Sequence, residues 1–254
     1  CYKLKKLVLS MTYLINKTNQ KIAYKASKGK GPGIIFIHGL NSDMQGLKAK
    51  YIHQYAKKNN LSFICFDCRG HGKSFGNFED FTMSDWKEDI INIIDKLTKG
   101  PQILIGSSMG GWLMLLAAQA RPRRIAGLIG LAAVTDFGNN LYNNISVKNK
   151  KILKKTGIIK YKSFGFSYYL RTKFFKDANK NNFLVKKFNF KKPMILIQGM
   201  KDDVVDIDTP KKISNNITGK NIQIIYLKSS DHRLCKNEDL KVLKSSIDNI
   251  RSQI

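Results

Sequence analysis

Acidic residues are scarce in this chain. Eighteen Asp and Glu stand against 45 Lys and Arg over 254 residues, a formal net charge of +27. A surplus of that size points first to polyanionic partners, either nucleic acid or an anionic membrane. Arginine is scarce as well, supplying seven of the 45 basic residues. The guanidinium fork reads bases and phosphates bidentately, so a surplus built on lysine argues against nucleic acid. Abundant Ile and Asn beside the Lys match the drift of an AT-rich coding sequence. Cysteine is limited to four residues, too few for a disulfide framework, which makes a reducing, cytoplasmic compartment the expectation. Long apolar runs are missing: the longest, Ile125 to Val134, has ten residues, whereas a membrane-spanning helix needs about 20. What remains, 43% hydrophobic and 10% aromatic, is enough for a sizeable core in one large α/β domain.

The chain begins at Cys1. Lys3, Lys5 and Lys6 followed by Leu7 to Ile15 mimic a signal peptide, yet only polar Asn16-Lys17-Thr18-Asn19 follows where a small-residue cleavage site belongs. Met11 offers an alternative start that would make residues 1–10 an extension.

Apolar residues alternate between short β runs and longer helical ones, which predicts a mainly parallel sheet with crossover helices. Met11–Ile15 and Lys21–Tyr24 read as an opening hairpin. Gly33–Ile37, Leu61–Phe66, Gln102–Ile105, Ile125–Leu131, Met194–Gln198 and Ile222–Leu227 read as strands, and 46–58 and Met109–Ala120 as helices. Trp86, Ile90, Ile93, Ile94 and Leu97 define one face of a further helix, with Lys87, Glu88, Asp89 and Lys96 off it. Residues 136–192 break the rhythm. They are polar, Asn-rich and aromatic, and read as a cap inserted over one face of the sheet. Within them, Lys148 to Lys192 hold 15 Lys and Arg and a single acid, Asp177, so about half of the net charge sits there.

Gly106-Ser107-Ser108-Met109-Gly110-Gly111 fits G-x-S-x-G between a predicted strand and an apolar helix, the context of a nucleophile elbow. So tight a turn has no room for side chains at Gly106 and Gly110. It holds Ser108 strained and exposed at the C-terminal edge of the sheet. Ser107 lies outside the central position. A nucleophilic serine needs a base, and the base needs an orienting carboxylate, in the chain order Ser, acid, His. Of the four histidines only His232 follows Ser108, in a loop after the last predicted strand. The loop after Met194–Gln198 reads Gly199-Met200-Lys201-Asp202-Asp203. A G-x-x-D pattern selects Asp202, with Asp203 as the alternative. Met109, the residue after the nucleophile, would supply one oxyanion-hole N–H. Cys65 and Cys68 form a C-x-x-C with no second pair or histidine ligand nearby, so no metal is expected, and acyl transfer to water needs no cofactor.

With its His38-Gly39 loop, Asp67-Cys68-Arg69-Gly70-His71-Gly72-Lys73-Ser74 turn, Ser108, Asp202 and His232, the chain resembles the α/β-hydrolase superfamily over roughly residues 20–250. Gly100-Pro101-Gln102-Ile103-Leu104, Gly106–Trp112, Leu113-Met114-Leu115, Gly199–Asp203 and Ser230-Asp231-His232-Arg233 are similar to a narrower group, the mitochondrial palmitoyl-protein thioesterases and acyl-glucuronide esterases with their bacterial relatives. The resemblance implies a mostly parallel, eight-stranded-type sheet flanked by helices with a small cap. It also implies a mitochondrial setting by analogy, structural roles for His38 and His71, and a second oxyanion donor at the Leu40 N–H. One departure is Asp206, where many relatives carry Pro. The implied function is hydrolysis of an ester or thioester of a small molecule or an acylated protein, anionic ones included, through an acyl-enzyme on Ser108. Trp112 would line the acyl pocket. An epoxide hydrolase or haloalkane dehalogenase would place Asp at 108. A generic small-molecule carboxylesterase is one alternative, and a catalytically silent basic protein that binds anionic membranes or nucleic acid is the alternative of another class; weak contact with a membrane surface is compatible with the hydrolase itself.

Overall fold

A computed structural model of the chain describes residues 11–163 and 166–254. The start-site and signal-peptide readings rest on residues 1–10 and lie outside the described residues. The opening hairpin pairs β1 (Thr12–Ile15) antiparallel with β2 (Lys21–Ser27), and the side-chain carbonyl of Asn16 accepts from the Thr18 and Gln20 amides inside its turn. There follow β3 (Lys30–Ile37), α1 (Leu47–Lys58), β4 (Leu61–Phe66), α2 (Met83–Leu97), β5 (Gln102–Ser107), α3 (Met109–Ala120) and β6 (Ile125–Leu131). The inserted stretch contributes α4 (Phe137–Asn144), α5 (Val147–Thr156), β7 (Ile158–Ser163), β8 (Phe166–Arg171) and α6 (Thr172–Lys180). The chain returns through β9 (Met194–Gly199), α7 (Thr209–Asn216), β10 (Ile222–Leu227) and α8 (Asn237–Arg251).

Eight strands form one sheet in the order β1-β2-β4-β3-β5-β6-β9-β10, parallel from β4 to β10 and antiparallel at the β1-β2 end. Strands β5, β6 and β9 are mostly Ile, Leu and Gly and are buried at every residue, as a sheet covered on both faces requires. Trp86, Ile90 and Ile93 of α2 join Trp112 and Leu113 of α3 on one face. Ile52 of α1 joins Leu243, Ile247 and Ile250 of α8 on the other. The expected apolar face of α2 is buried, but Asp89, expected off it, is fully buried too. Its carboxylate accepts the Arg69 Nε at 2.6 Å and the Arg69 N–H at 2.9 Å, which the helical period alone cannot show.

The insertion is regularly folded. Its base is closed by Asp136, whose carboxylate accepts the Phe183 and Leu184 N–H groups at 2.5 and 2.7 Å. Residues after Leu184 leave the cap: Phe188 bridges to Ile217 beyond α7, exchanging hydrogen bonds with Asn216 and Thr218. The cap therefore ends near residue 184, short of the expected 192.

Candidate active site

Strand β5 runs straight into α3, and Ser108 is the hinge between them, with φ 54 and ψ −120. That backbone is strained for a residue with a side chain and persists because its surroundings fix it. The Ser108 N–H donates to the Leu131 carbonyl at 2.9 Å, and its own carbonyl accepts the Gly111 N–H at 2.8 Å. A Cβ at Gly106 would overlap the Gly110 carbonyl, and one at Gly110 would overlap the carbonyls of Ile37 and His38. Only hydrogen fits where strand, turn and helix meet.

His232 and Asp202 converge on this serine from separate loops. The Ser108 Oγ lies 3.1 Å from His232 Nε2, and His232 Nδ1 lies 3.0 Å from Asp202 Oδ2. The Asp202 side chain is fully enclosed while His232 stays partly open. Oδ1 of Asp202 accepts the Val204 and Val205 N–H groups, each at 2.9 Å, and Oδ2 accepts the Gln198 amide at 2.8 Å. Burial works to raise the Asp202 carboxyl. The hydrogen bonds from His232, Val205 and Val204 outweigh it and hold the group below the ordinary carboxylate value. Asp203, the sequence alternative, is exposed on the cavity wall and makes no bond to His232. Ser107 is buried beside the elbow, with Ser108 alone bonded to the imidazole.

The loop after β3 passes against the serine, where a Cβ at Gly39 would sit 3.2 Å from Ser108 Cβ. Leu40 and Met109 both line the cavity above Ser108, and among the described residues neither backbone N–H is donated to a protein acceptor. His38 holds this loop. Its Nδ1 pairs with the Gly39 carbonyl at 2.7 Å, and its Nε2 accepts the Cys68 N–H at 3.0 Å. That pairing requires a neutral ring, and burial lowers its pKa in agreement. His71 is buried against His38, Phe78 and Trp86, and burial pushes it down to about 3. Cys65 and Cys68 are buried, and burial pushes the Cys65 thiol up to about 12.

A cavity of about 960 Å³ opens above the elbow. Phe137, Leu141, Tyr161 and Tyr168 of the cap form part of its wall, opposite Leu47, Val204 and Val205. Trp112, expected there, is not part of this wall. It is fully buried, its indole N–H donates to the Asn181 carbonyl at 2.9 Å, and its ring meets Phe137 edge-on. The α3 positions after the elbow face the core, so Trp112 ties the cap to the sheet.

A family described as serine aminopeptidase, S33, matches residues 32–183. The chain belongs to this family of α/β hydrolases. The hydrolase is 38% identical over 245 residues to the human mitochondrial palmitoyl-protein thioesterase ABHD10, covering 95% of this chain and 80% of the relative. Its bovine counterpart is 37% identical over the same lengths. The solved structure of mouse α/β-hydrolase domain-containing protein 10 matches with a TM-score of 0.88 and 35% identity, covering 96% of this chain and 98% of that one. A putative hydrolase from Agrobacterium vitis S4, at 24% identity and a TM-score of 0.89, shares the fold.

Two contributors to the hydrolase's site lay outside the sequence reading. Gln198, the penultimate residue of β9, braces Asp202. Lys48, on the first turn of α1, donates its ammonium to the Arg233 carbonyl next to His232. A Gln inside an otherwise apolar strand was a visible signal. Lys48 stood among 38 lysines and carried none.

Proposed function

We propose that this hydrolase cleaves thioesters or carboxylic esters through an acyl-enzyme on Ser108, with a long-chain acyl group as the favoured substrate. The observation that carries the reading is the continuous chain Ser108 Oγ, His232, Asp202, at 3.1 and 3.0 Å. His232 Nε2 takes the Ser108 proton as Oγ attacks the carbonyl carbon, and Asp202 holds the ring's other N–H and steadies the imidazolium. The Leu40 and Met109 N–H groups receive the oxyanion. Collapse expels the thiol or alcohol, which takes the proton from His232. Water, deprotonated by the same ring, then attacks the acyl-enzyme and releases the carboxylic acid and free Ser108.

Support for a long acyl chain comes from the cavity, about 960 Å³ with a largely aliphatic and aromatic wall, and from relatives whose name is palmitoyl-protein thioesterase. The test is a panel of p-nitrophenyl esters from short to long chains, a palmitoylated peptide thioester and an acyl glucuronide. A rate that rises with chain length and favours the thioester supports the proposal. Preference for the shortest ester would make it a general carboxylesterase. Failure of a fluorophosphonate to label Ser108 would overturn the mechanism and leave the silent binding protein. For location, the relatives' names carry a mitochondrial setting as the rival to a cytoplasmic one, and cell fractionation decides between them.

A further inference from the structure

Among the described residues, none of the cap lysines lines the active-site cavity, and its cap wall is Phe137, Asn140, Leu141, Tyr161 and Tyr168. The positive charge concentrated in this segment therefore lies outside the wall of the substrate pocket. On α5, Leu153 is the buried anchor, and Val147, Lys148, Lys151, Ile152, Lys154 and Lys155 are exposed, Val147 by 70%. Lys160 and Tyr169, directly paired across the β7-β8 hairpin, are exposed as well, while Ile159 and Leu170 on the opposite face are buried. Asp177, the single acid between Lys148 and Lys192, is turned to the body, accepting the Ser84 N–H at 2.8 Å and the Ser84 hydroxyl at 2.7 Å. Among the described residues no carboxylate lies within ion-pair reach of Lys148, Lys151, Lys154 or Lys155. Beside them a shallow cleft of about 340 Å³ is lined by Tyr142, Val147, Lys151, Leu153, Lys154 and Thr172, together with Lys150.

We propose that the outer face of the cap, centred on α5, docks on an anionic phospholipid bilayer. Uncompensated lysines interleaved with exposed aliphatic and aromatic side chains are what a charged interface with an apolar interior accepts: ammonium groups meet phosphates while Val147 and Ile152 enter the headgroup boundary. The cleft has the size and charge to seat one phosphodiester headgroup. Nucleic acid would use the lysines but give no role to the exposed Val147 and Ile152, and the bilayer uses both. Docking through this face is a binding property of its own and does not require Ser108.

The test is co-sedimentation of the full chain with vesicles of phosphatidylcholine alone and of phosphatidylcholine with phosphatidylserine. Selective binding to the anionic vesicles is expected, weakening steeply as salt rises from 0.1 to 1 M. The fourfold variant Lys148→Gln, Lys151→Gln, Lys154→Gln, Lys155→Gln should lose on the order of 100-fold in partitioning, since each lysine near such a surface contributes strongly. Circular dichroism and fluorophosphonate labelling of Ser108 should remain as in the parent. Val147→Ser with Ile152→Ser should weaken binding at all salt concentrations. The Ser108→Ala variant should bind vesicles as the parent does, so loss of hydrolysis and loss of docking are read separately. Equal partitioning to both vesicle types, parent-like binding by the fourfold variant, or binding of single-stranded RNA with no vesicle binding would each overturn the proposal.

Discussion

Asp202 and Asp203 are adjacent and chemically identical, yet one is enclosed and bonded to His232 while the other faces solvent. Under the proposed mechanism Asp202→Asn should lower kcat by about 10⁴-fold with the fold intact, because the amide stabilises the wrong imidazole tautomer. Asp203→Asn should leave kcat within a few-fold, and side-by-side kinetics on one p-nitrophenyl ester would decide. His71 gives a residue-scale prediction about stability. Burial keeps its ring neutral in the folded chain down to about 3, whereas the unfolded chain takes up that proton near pH 6.5. Between those values unfolding binds a proton that the native state refuses. The stabilising contribution is thus complete above about pH 6.5 and lost as pH falls toward 3, at about 1.4 kcal/mol per unit. Between pH 7 and pH 4.5, urea unfolding should show the parent losing more stability than His71→Phe, by a few kcal/mol. Equal losses in the two proteins would refute the role of His71. Chain order keeps His38 and His71 out of the triad, and their structural roles came only with the family resemblance. The buried Asp89 and the inward Trp112 were legible in neither, since their partners Arg69 and Asn181 lie 20 and 69 residues away.

The elbow is the element that tolerates least. Gly110→Val would drive a branched side chain into the Ile37 and His38 carbonyls, so a destabilisation of several kcal/mol, read as a fall in Tm, is expected. Substitution of Gly157, which closes α5 with φ 74 and has open space around it, should cost only its backbone strain of about 1 kcal/mol. At the base of the cap, Asp136→Ala would leave the Phe183 and Leu184 amides without their acceptor. A stability loss of about 1–3 kcal/mol is expected, together with a raised KM for long-chain substrates, while turnover of a short ester persists. Equal damage to both substrates would show that Asp136 serves global folding alone. The contrast between sheet and cap also explains what the sequence reveals. The central strands β5, β6 and β9 advertise themselves as apolar runs, because burial on both faces leaves few polar positions. In α5, Leu153 is the one buried residue, and ten residues of mostly Lys, Asn and Thr carry too little apolar pattern to mark a helix. The cap's limit at 184 depends on one carboxylate reaching 47 residues along the chain, a contact that no local signal encodes.

At the scale of the whole molecule, sequence and structure divide the same charge differently. Composition shows +27, with about half of it in the lysine-rich stretch of the cap. Folding places Phe137, Tyr161 and Tyr168 on the cavity wall and leaves the α5 lysines exposed, so under the docking proposal membrane contact and catalysis use different surfaces of the cap. The strand order has a consequence of its own. Ser108 follows β5, and His232 follows β10, the outermost strand, three places away across β6 and β9. At about 4.8 Å per strand the base reaches back roughly 14 Å, from a loop after a strand that pairs, among the described residues, along one edge only. A chain cut short before β10, or one whose edge strand has peeled, would still display a correctly strained serine and its two amide donors, but without a proton acceptor. Covalent labelling of Ser108 is thus a completeness check on the sheet, silent until the final strand has seated.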